Sequence, residues 1–267
     1  TGLINLGIHL GAADVGKQDI PQGDGYTTLN ISLSGIGTFA GKLADGTTIT
    51  GSSIVSSQGR TCLFQMLYKN TGSLLPWVAP RFIRVGNSNT ANTLFHSMQG
   101  QVRWLKDHLS NSTDKLYRLG IPATVLDVVG SYYRAPDPLV TPIVLNLPSV
   151  ADNAYLDFSQ GGLAAATQNP DILFRLGNDN AATLPSVNPT KVTLKVTPGT
   201  GFYTGTFTLL DGVSTKRSVT FQGLIIPQVG EIPGLPATFT AIMTSVLPAQ
   251  TGMPPRTAYG AGYFLLD

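Results

Sequence analysis

The feature that most constrains this chain is a period of two, broken again and again by Gly, Pro and Asp-Gly. Thr1 to Leu10 reads Thr-Gly-Leu-Ile-Asn-Leu-Gly-Ile-His-Leu, with Ile4, Leu6, Ile8 and Leu10 on one face and Asn5, Gly7 and His9 on the other. Side chains of a strand point to opposite faces in turn, whereas a helix repeats its face every ~3.6 residues. Tyr26 to Leu33 alternates in the same way, placing Leu29, Ile31 and Leu33 together, and Thr38 to Leu43 follows. Asp45-Gly46 is a hairpin signal, after which Thr47 to Ser56, Arg60 to Lys69 and Gln101 to Lys106 read as further strands.

The middle of the chain is less regular. Thr124 to Val129, Ile143 to Leu147 and Ala154 to Phe158 read as strands, Ser110 to Gly120 fits a short helical turn, and Ala164-Ala165-Ala166 reads as a loop. Towards the end, Val192 to Val196, Phe202 to Leu209, Ser218 to Ile226, Thr238 to Val246 and Tyr259 to Leu266 are strands between Pro and Gly signals. No window of helical length has a 3.6-residue pattern. The expected class is all-β, with antiparallel meanders forming a barrel or sandwich. The expected organisation is an N-terminal meander half over 1–109, an irregular middle with strands over 110–190 and a C-terminal meander half over 191–267, packed as one unit.

The two ends resemble each other. Thr28-Leu29-Asn30-Ile31-Ser32 matches Thr193-Leu194-Lys195-Val196-Thr197, Phe39-Ala40-Gly41 matches Tyr203-Thr204-Gly205, Asp45-Gly46 matches Asp211-Gly212, and Gln58-Gly59 matches Gln222-Gly223. Each unit is strand, turn, strand, hairpin, strand. The small residue after each aromatic is expected to let a neighbouring strand approach. A meander cannot bury its face alone, so two such units are expected to share one core.

An ordered series of motifs runs through the chain. It includes Pro21-Gln22-Gly23-Asp24-Gly25-Tyr26, Gly41-Lys42-Leu43-Ala44-Asp45-Gly46-Thr47, Gly100-Gln101-Val102-Arg103-Trp104-Leu105-Lys106, Gly130-Ser131-Tyr132-Tyr133, Val219-Thr220-Phe221-Gln222-Gly223 and Gly260-Ala261-Gly262-Tyr263-Phe264. This series resembles a poorly characterised β domain of large exported proteins of Verrucomicrobia, Planctomycetes and related bacteria. The resemblance spans about Thr1 to Leu266. It implies an exported all-β surface domain, and it carries no catalytic residues over to this chain.

Composition narrows the classes. Charged residues are 12%, against roughly 25% in an average globular protein. A net charge of +2 over 267 residues is no footprint for nucleic acid. A hydrophobic content of 42% is too high for a disordered chain, and the single cysteine, Cys62, rules out an internal disulfide framework. No run approaches the ~20 apolar residues of a membrane helix.

No catalytic, cofactor or metal constellation stands out. His9, His96 and His108 lack ligand spacing, and no nucleophile elbow or phosphate loop occurs. Cys62, beside Leu63 and Phe64, reads as a core thiol. Asp127, Asp137, Asp152 and Asp157 are carboxylates among which no pair is singled out. Asp14, Asp19 and Asp24 share one polar loop and Asn178-Asp179-Asn180 another, and solvated turn residues are the default reading over calcium ligands.

Two binding features remain. Trp77, Tyr68, Tyr132 and Tyr133 are candidates for an aromatic ligand platform, with Trp77 placed in a loop between Pro76 and Pro80 and Trp104 in the core. Ile4, Leu6, Ile8 and Leu10 are candidates for an assembly strand, one that fills its own barrel or completes a neighbour's sheet. Neither terminal strand carries a charge before Asp267, so the two are expected to pair with each other or with another subunit. The reading is therefore a non-enzymatic exported surface or structural protein, self-associating and located outside the cell, with a fibre subunit joined by strand exchange as one form. A monomeric carbohydrate-binding or adhesion module with a glycan or cell-surface partner is the alternative.

Overall fold

The computed structural model describes residues 2–17, 19–85, 95–110, 117–147, 149–159, 171–211, 215–227, 239–247 and 256–264. Their regular elements are strands and single 3₁₀ turns, so the chain is all-β. The first eight strands are β1 (Gly2–Leu10), β2 (Gly25–Ile31), β3 (Ile36–Lys42), β4 (Thr48–Ile54), β5 (Gln65–Leu67), β6 (Gly72–Val85), β7 (Phe95–Lys106) and β8 (Ile121–Tyr133). The second eight are β9 (Ala154–Ser159), β10 (Ile172–Leu176), β11 (Ala182–Thr183), β12 (Thr193–Thr197), β13 (Phe202–Asp211), β14 (Thr215–Ile226), β15 (Phe239–Leu247) and β16 (Arg256–Phe264).

These strands form two antiparallel eight-stranded sheets. The order is β4-β3-β2-β1-β8-β7-β6-β5 in one and β11-β10-β9-β16-β15-β14-β13-β12 in the other. Each half is thus a pair of meanders joined where its first strand meets its last. The first sheet nearly closes as a barrel: β4 comes back beside β5, and the Thr50 N–H donates across the gap to the Gln65 side chain at 2.7 Å. In the second, β11 returns towards β12.

The boundary between sheets falls between Tyr133 and Ala154, within the segment read from sequence as an irregular middle. The terminal strands do not pair with each other: β1 pairs with β2 and β8, and β16 with β15 and β9. Ile143 to Leu147, expected as a strand, contains a 3₁₀ turn at Val144–Asn146. Leu33, expected on a buried face, is almost fully exposed in the turn after β2. The helical turn expected before Gly120 falls mostly, and the loop at Ala164 wholly, outside the described residues.

The alternation explains the interior of the first barrel. Ile4, Leu6 and Ile8 pack with Leu29, Phe39, Ile49, Leu74, Val102, Trp104 and Val128 in one core, and Leu10 packs at its edge. The second core is more aromatic: Phe158 lies 4.7 Å from Phe207 and 5.1 Å from Phe221, ring centre to ring centre. The repeat seen in sequence matches β2-β3-β4 with β12-β13-β14. In both units a glycine marks a close approach: a Cβ at Gly41 would sit 1.9 Å from the Tyr26 carbonyl, and one at Gly205 2.0 Å from that of Thr193. Yet the units are not equivalent in the fold, since β2 flanks the central β1 while β12 lies at a sheet end.

Candidate functional site

Strand β6 is interrupted by irregularities that place a tryptophan on the surface. Its register with β7 shifts between Pro76 and Val78 and again between Val78 and Arg81. Proline has no N–H to give a ladder, so it settles where pairing is already broken. The short β5 pairs with β6 only over Gly72 to Leu74, which leaves the N–H side of Pro76 without a ladder to disrupt. Trp77 therefore lies in a strand, at a bulge, and not in the loop expected from its flanking prolines. It is 58% exposed, and the Arg103 guanidinium stands 5.8 Å from its ring centre.

Beside Trp77 runs a row of side chains on neighbouring strands. Val78 on β6 faces Gln101 on β7, Gln101 faces Asp127 on β8, and Asp127 faces His9 on β1. Gln101 Nε2 donates to Asp127 Oδ1 at 2.9 Å. His9 Nδ1 lies 3.1 Å from Asp24 Oδ1, just before β2. Burial works to lower the His9 pKa, but the charge and hydrogen bond of Asp24, with Asp127 behind, hold it above the ordinary 6.5. Burial likewise pushes the Asp24 carboxyl above 3.8, against the pull of His9. The pair fastens the loop between β1 and β2 to the barrel. Inside that loop Gln22 Nε2 donates to the carbonyls of Lys17 at 2.8 Å and Ile20 at 3.1 Å.

The four candidate aromatics do not form one platform. Tyr68 is a structural hub at the end of the barrel. Its hydroxyl donates to Asp45 Oδ2 at 2.6 Å and accepts from Trp104 Nε1 at 3.0 Å, while Lys106 Nζ lies 4.9 Å from the ring centre. Burial and the Asp45 carboxylate both push the Tyr68 hydroxyl pKa far up. Trp104 is fully buried, as expected. Tyr133 is buried in the second core and donates to the Pro198 carbonyl at 2.6 Å, and burial raises its pKa to about 12. Tyr132 is half-exposed and its ring lies against Gly2. Of the four, Trp77 is the most exposed, with Tyr132 next.

The candidate assembly strand occupies the middle of its own sheet. β1 pairs along its length with β2 on one side and β8 on the other. Its outer face is covered too. Asn5 is fully buried, and its Nδ2 donates to the carbonyls of Ile225 at 2.8 Å and Thr200 at 2.9 Å, both in the second half. Ser131 Oγ donates to the Pro227 carbonyl at 2.7 Å, and the Tyr26 and Phe202 rings lie 6.2 Å apart. A strand walled on every side needs no charge to repel partners, which accounts for the bare apolar pattern of residues 2–10.

The remaining candidates are dispersed. Asp14 pairs with Lys17 and Asp24 with His9, so the polar loop does not gather its acids. Asn180 is a structural tie: its side chain accepts from the Val144 N–H and donates to the Pro142 carbonyl, each at 2.8 Å. Asp179 caps its own turn through Ala181, and Asp137 does the same through Leu139. Among the described residues no group of three His, Cys, Asp or Glu side chains is placed to hold a metal. The Asp157 side chain lies outside the described residues. Cys62, read as a core thiol in a strand, is half-buried and outside any strand, with its N–H on Ser53 Oγ at 3.0 Å. Among the described helices none is long and apolar enough to cross a membrane.

Sequence reasoning missed the row from His9 to Val78, because its members come from four separate strands, of which β6 was not read as a strand and β7 and β8 were read only in part. The available signal was Asp127, a carboxylate set inside the apolar run Val125-Leu126-Asp127-Val128-Val129. No family model matches the chain, and no curated protein is similar to it at a significant level.

Proposed function

We propose that this chain is a non-enzymatic, exported surface or structural protein that associates with itself outside the cell. The observation that carries the reading is the union of its two sheets. Asn5, Ser131 and Tyr133 reach from the first half to backbone carbonyls of the second, across a buried strand. These three polar side chains are occupied as ties between the two halves. The 12% charge and the resemblance to exported bacterial β domains support the setting.

In the strand-exchange form of assembly, β1 would leave its place between β2 and β8 and take the same place in a second copy. Electron microscopy of material purified from its source tests self-association, with ordered assemblies expected and monomers alone counting against it. A Leu3→Cys, Asn30→Cys pair with Cys62→Ser tests the exchange, since Leu3 and Asn30 are register partners. Oxidation locks β1 at home. Filaments that vanish in the locked form and return on reduction support exchange, and filaments that persist exclude it.

The second reading is a monomeric glycan-binding or adhesion module. What favours it is Trp77, held open on a sheet face beside Arg103.

A further inference from the structure

We infer that the outer face of β6, β7 and β8 around Trp77 is a saccharide-binding surface; this rests on the second reading above and gives it a location and a chemistry. A pyranose ring has an apolar C–H face and a rim of hydroxyl groups. Its match is a flat aromatic face with hydrogen-bonding groups at the edge. Trp77 supplies the flat face, and its strand position with Arg103 alongside fixes the ring's orientation before a ligand arrives. Preorganisation of this kind lowers the ordering cost of binding.

The rim is supplied by side chains of the same sheet face. Arg103 lies across from Leu75 on β6, and Gln101 across from Val78. Among the described residues Arg103 has no ion-pair partner, and its guanidinium lies over the Trp77 ring. Gln101 spends one N–H on Asp127 and retains a second N–H and a carbonyl, while the Asp127 carboxylate retains acceptor capacity. Donors and acceptors thus lie side by side, which suits hydroxyls because each hydroxyl both donates and accepts. A phosphate-like anion would meet the Asp127 carboxylate. A purely apolar partner would desolvate Gln101 and Asp127 without replacing their bonds to water.

The experiment uses the full chain on an array of immobilised hexose, N-acetylhexosamine and hexuronate oligosaccharides, followed by titration with the soluble form of any glycan that binds. Trp77 and Trp104 are the two tryptophans, and Trp104 is fully buried, so a ligand at this face changes only the Trp77 emission. Trp77→Ala is expected to weaken binding roughly tenfold or more and Gln101→Ala to weaken it less, while Trp77→Phe keeps most of it. Thermal unfolding of the variants checks that each is folded, and Trp77→Phe with Gln101→Ala serves if Trp77→Ala is not. Glycan binding by the native chain that Trp77→Ala leaves unchanged overturns this site and spares the glycan-binding reading. No glycan bound by the native chain overturns both.

Discussion

Asn5 donates a 2.8 Å hydrogen bond to the carbonyl of Ile225, joining residues 220 positions apart in the chain. The same nitrogen reaches Thr200 at 2.9 Å, so one side chain in the first strand holds two carbonyls of the second half. Asn5→Ala is expected to lower stability by about 3 kcal/mol, because it removes both bonds and leaves buried acceptors unmet. Chemical denaturation checks this, and a change under about 0.5 kcal/mol would show that the tie is not used.

Gly201 faces Asn5 across this junction. Its φ is +70°, and a Cβ there would stand 2.6 Å from Tyr133 Cε2 and 2.9 Å from Asn5 Nδ2. Gly199, two residues away, has nothing within 4 Å of the same atom. Gly201→Ala is expected to cost at least about 2 kcal/mol through backbone strain and overpacking, and Gly199→Ala under about 0.5 kcal/mol. Equal melting temperatures for the two variants would contradict the junction as described.

Tyr68→Phe keeps the ring that faces Lys106 and removes only the hydroxyl between Trp104 and Asp45. The Trp104 indole N–H is then left buried without its acceptor. The expected loss is about 1–3 kcal/mol. A lower denaturation midpoint with an unchanged slope is the signature to look for.

The pair of His9 and Asp24 makes stability depend on pH. The folded state holds the His9 proton more tightly than the unfolded chain does, since its pKa is raised above 6.5. Its contribution is therefore complete below pH 6.5 and is lost as pH rises through the folded-state value. Asp24 is raised from 3.8, so it too favours the folded state when protonated, and its contribution falls away over a lower window that opens near 3.8. Stability measured from pH 6 upward is expected to decline in the native chain and to flatten in His9→Gln. Parallel profiles for the two would remove His9 as the cause.

Much of the architecture was legible in the sequence, and the exceptions have identifiable causes. The strands β1, β3, β4, β9, β12 and β13 follow directly from alternation between turn residues. β6 did not, because Pro76 and Pro80 argue against a strand wherever the ladder is intact, and here the ladder is broken at the bulge. The same error placed Trp77 in a loop. The two-residue β11 carries too few residues for a pattern, and β10 does not alternate in sequence, because the exposed Leu173 lies between the buried Ile172 and Phe174. Tyr68 and Tyr133 looked like ligand aromatics because a hydroxyl's partner is invisible until strands are paired. The row from Val78 to His9 was hidden for the same reason.

The sequence by itself determined that this chain is all-β and which side chains of the first strand face a core, whereas the charge-free last strand expected from Tyr259 onward proves to start at Arg256. Side-chain alternation is a local property and survives in one dimension. Tertiary structure alone decided where the ends go. The first and last strands meet β8 and β9 rather than each other, and the outer face of the first is closed by carbonyls supplied from Thr200 and Ile225. Strand order depends on which hydrogen-bonding edges meet, and those edges belong to the backbone, which is the same for every residue but proline.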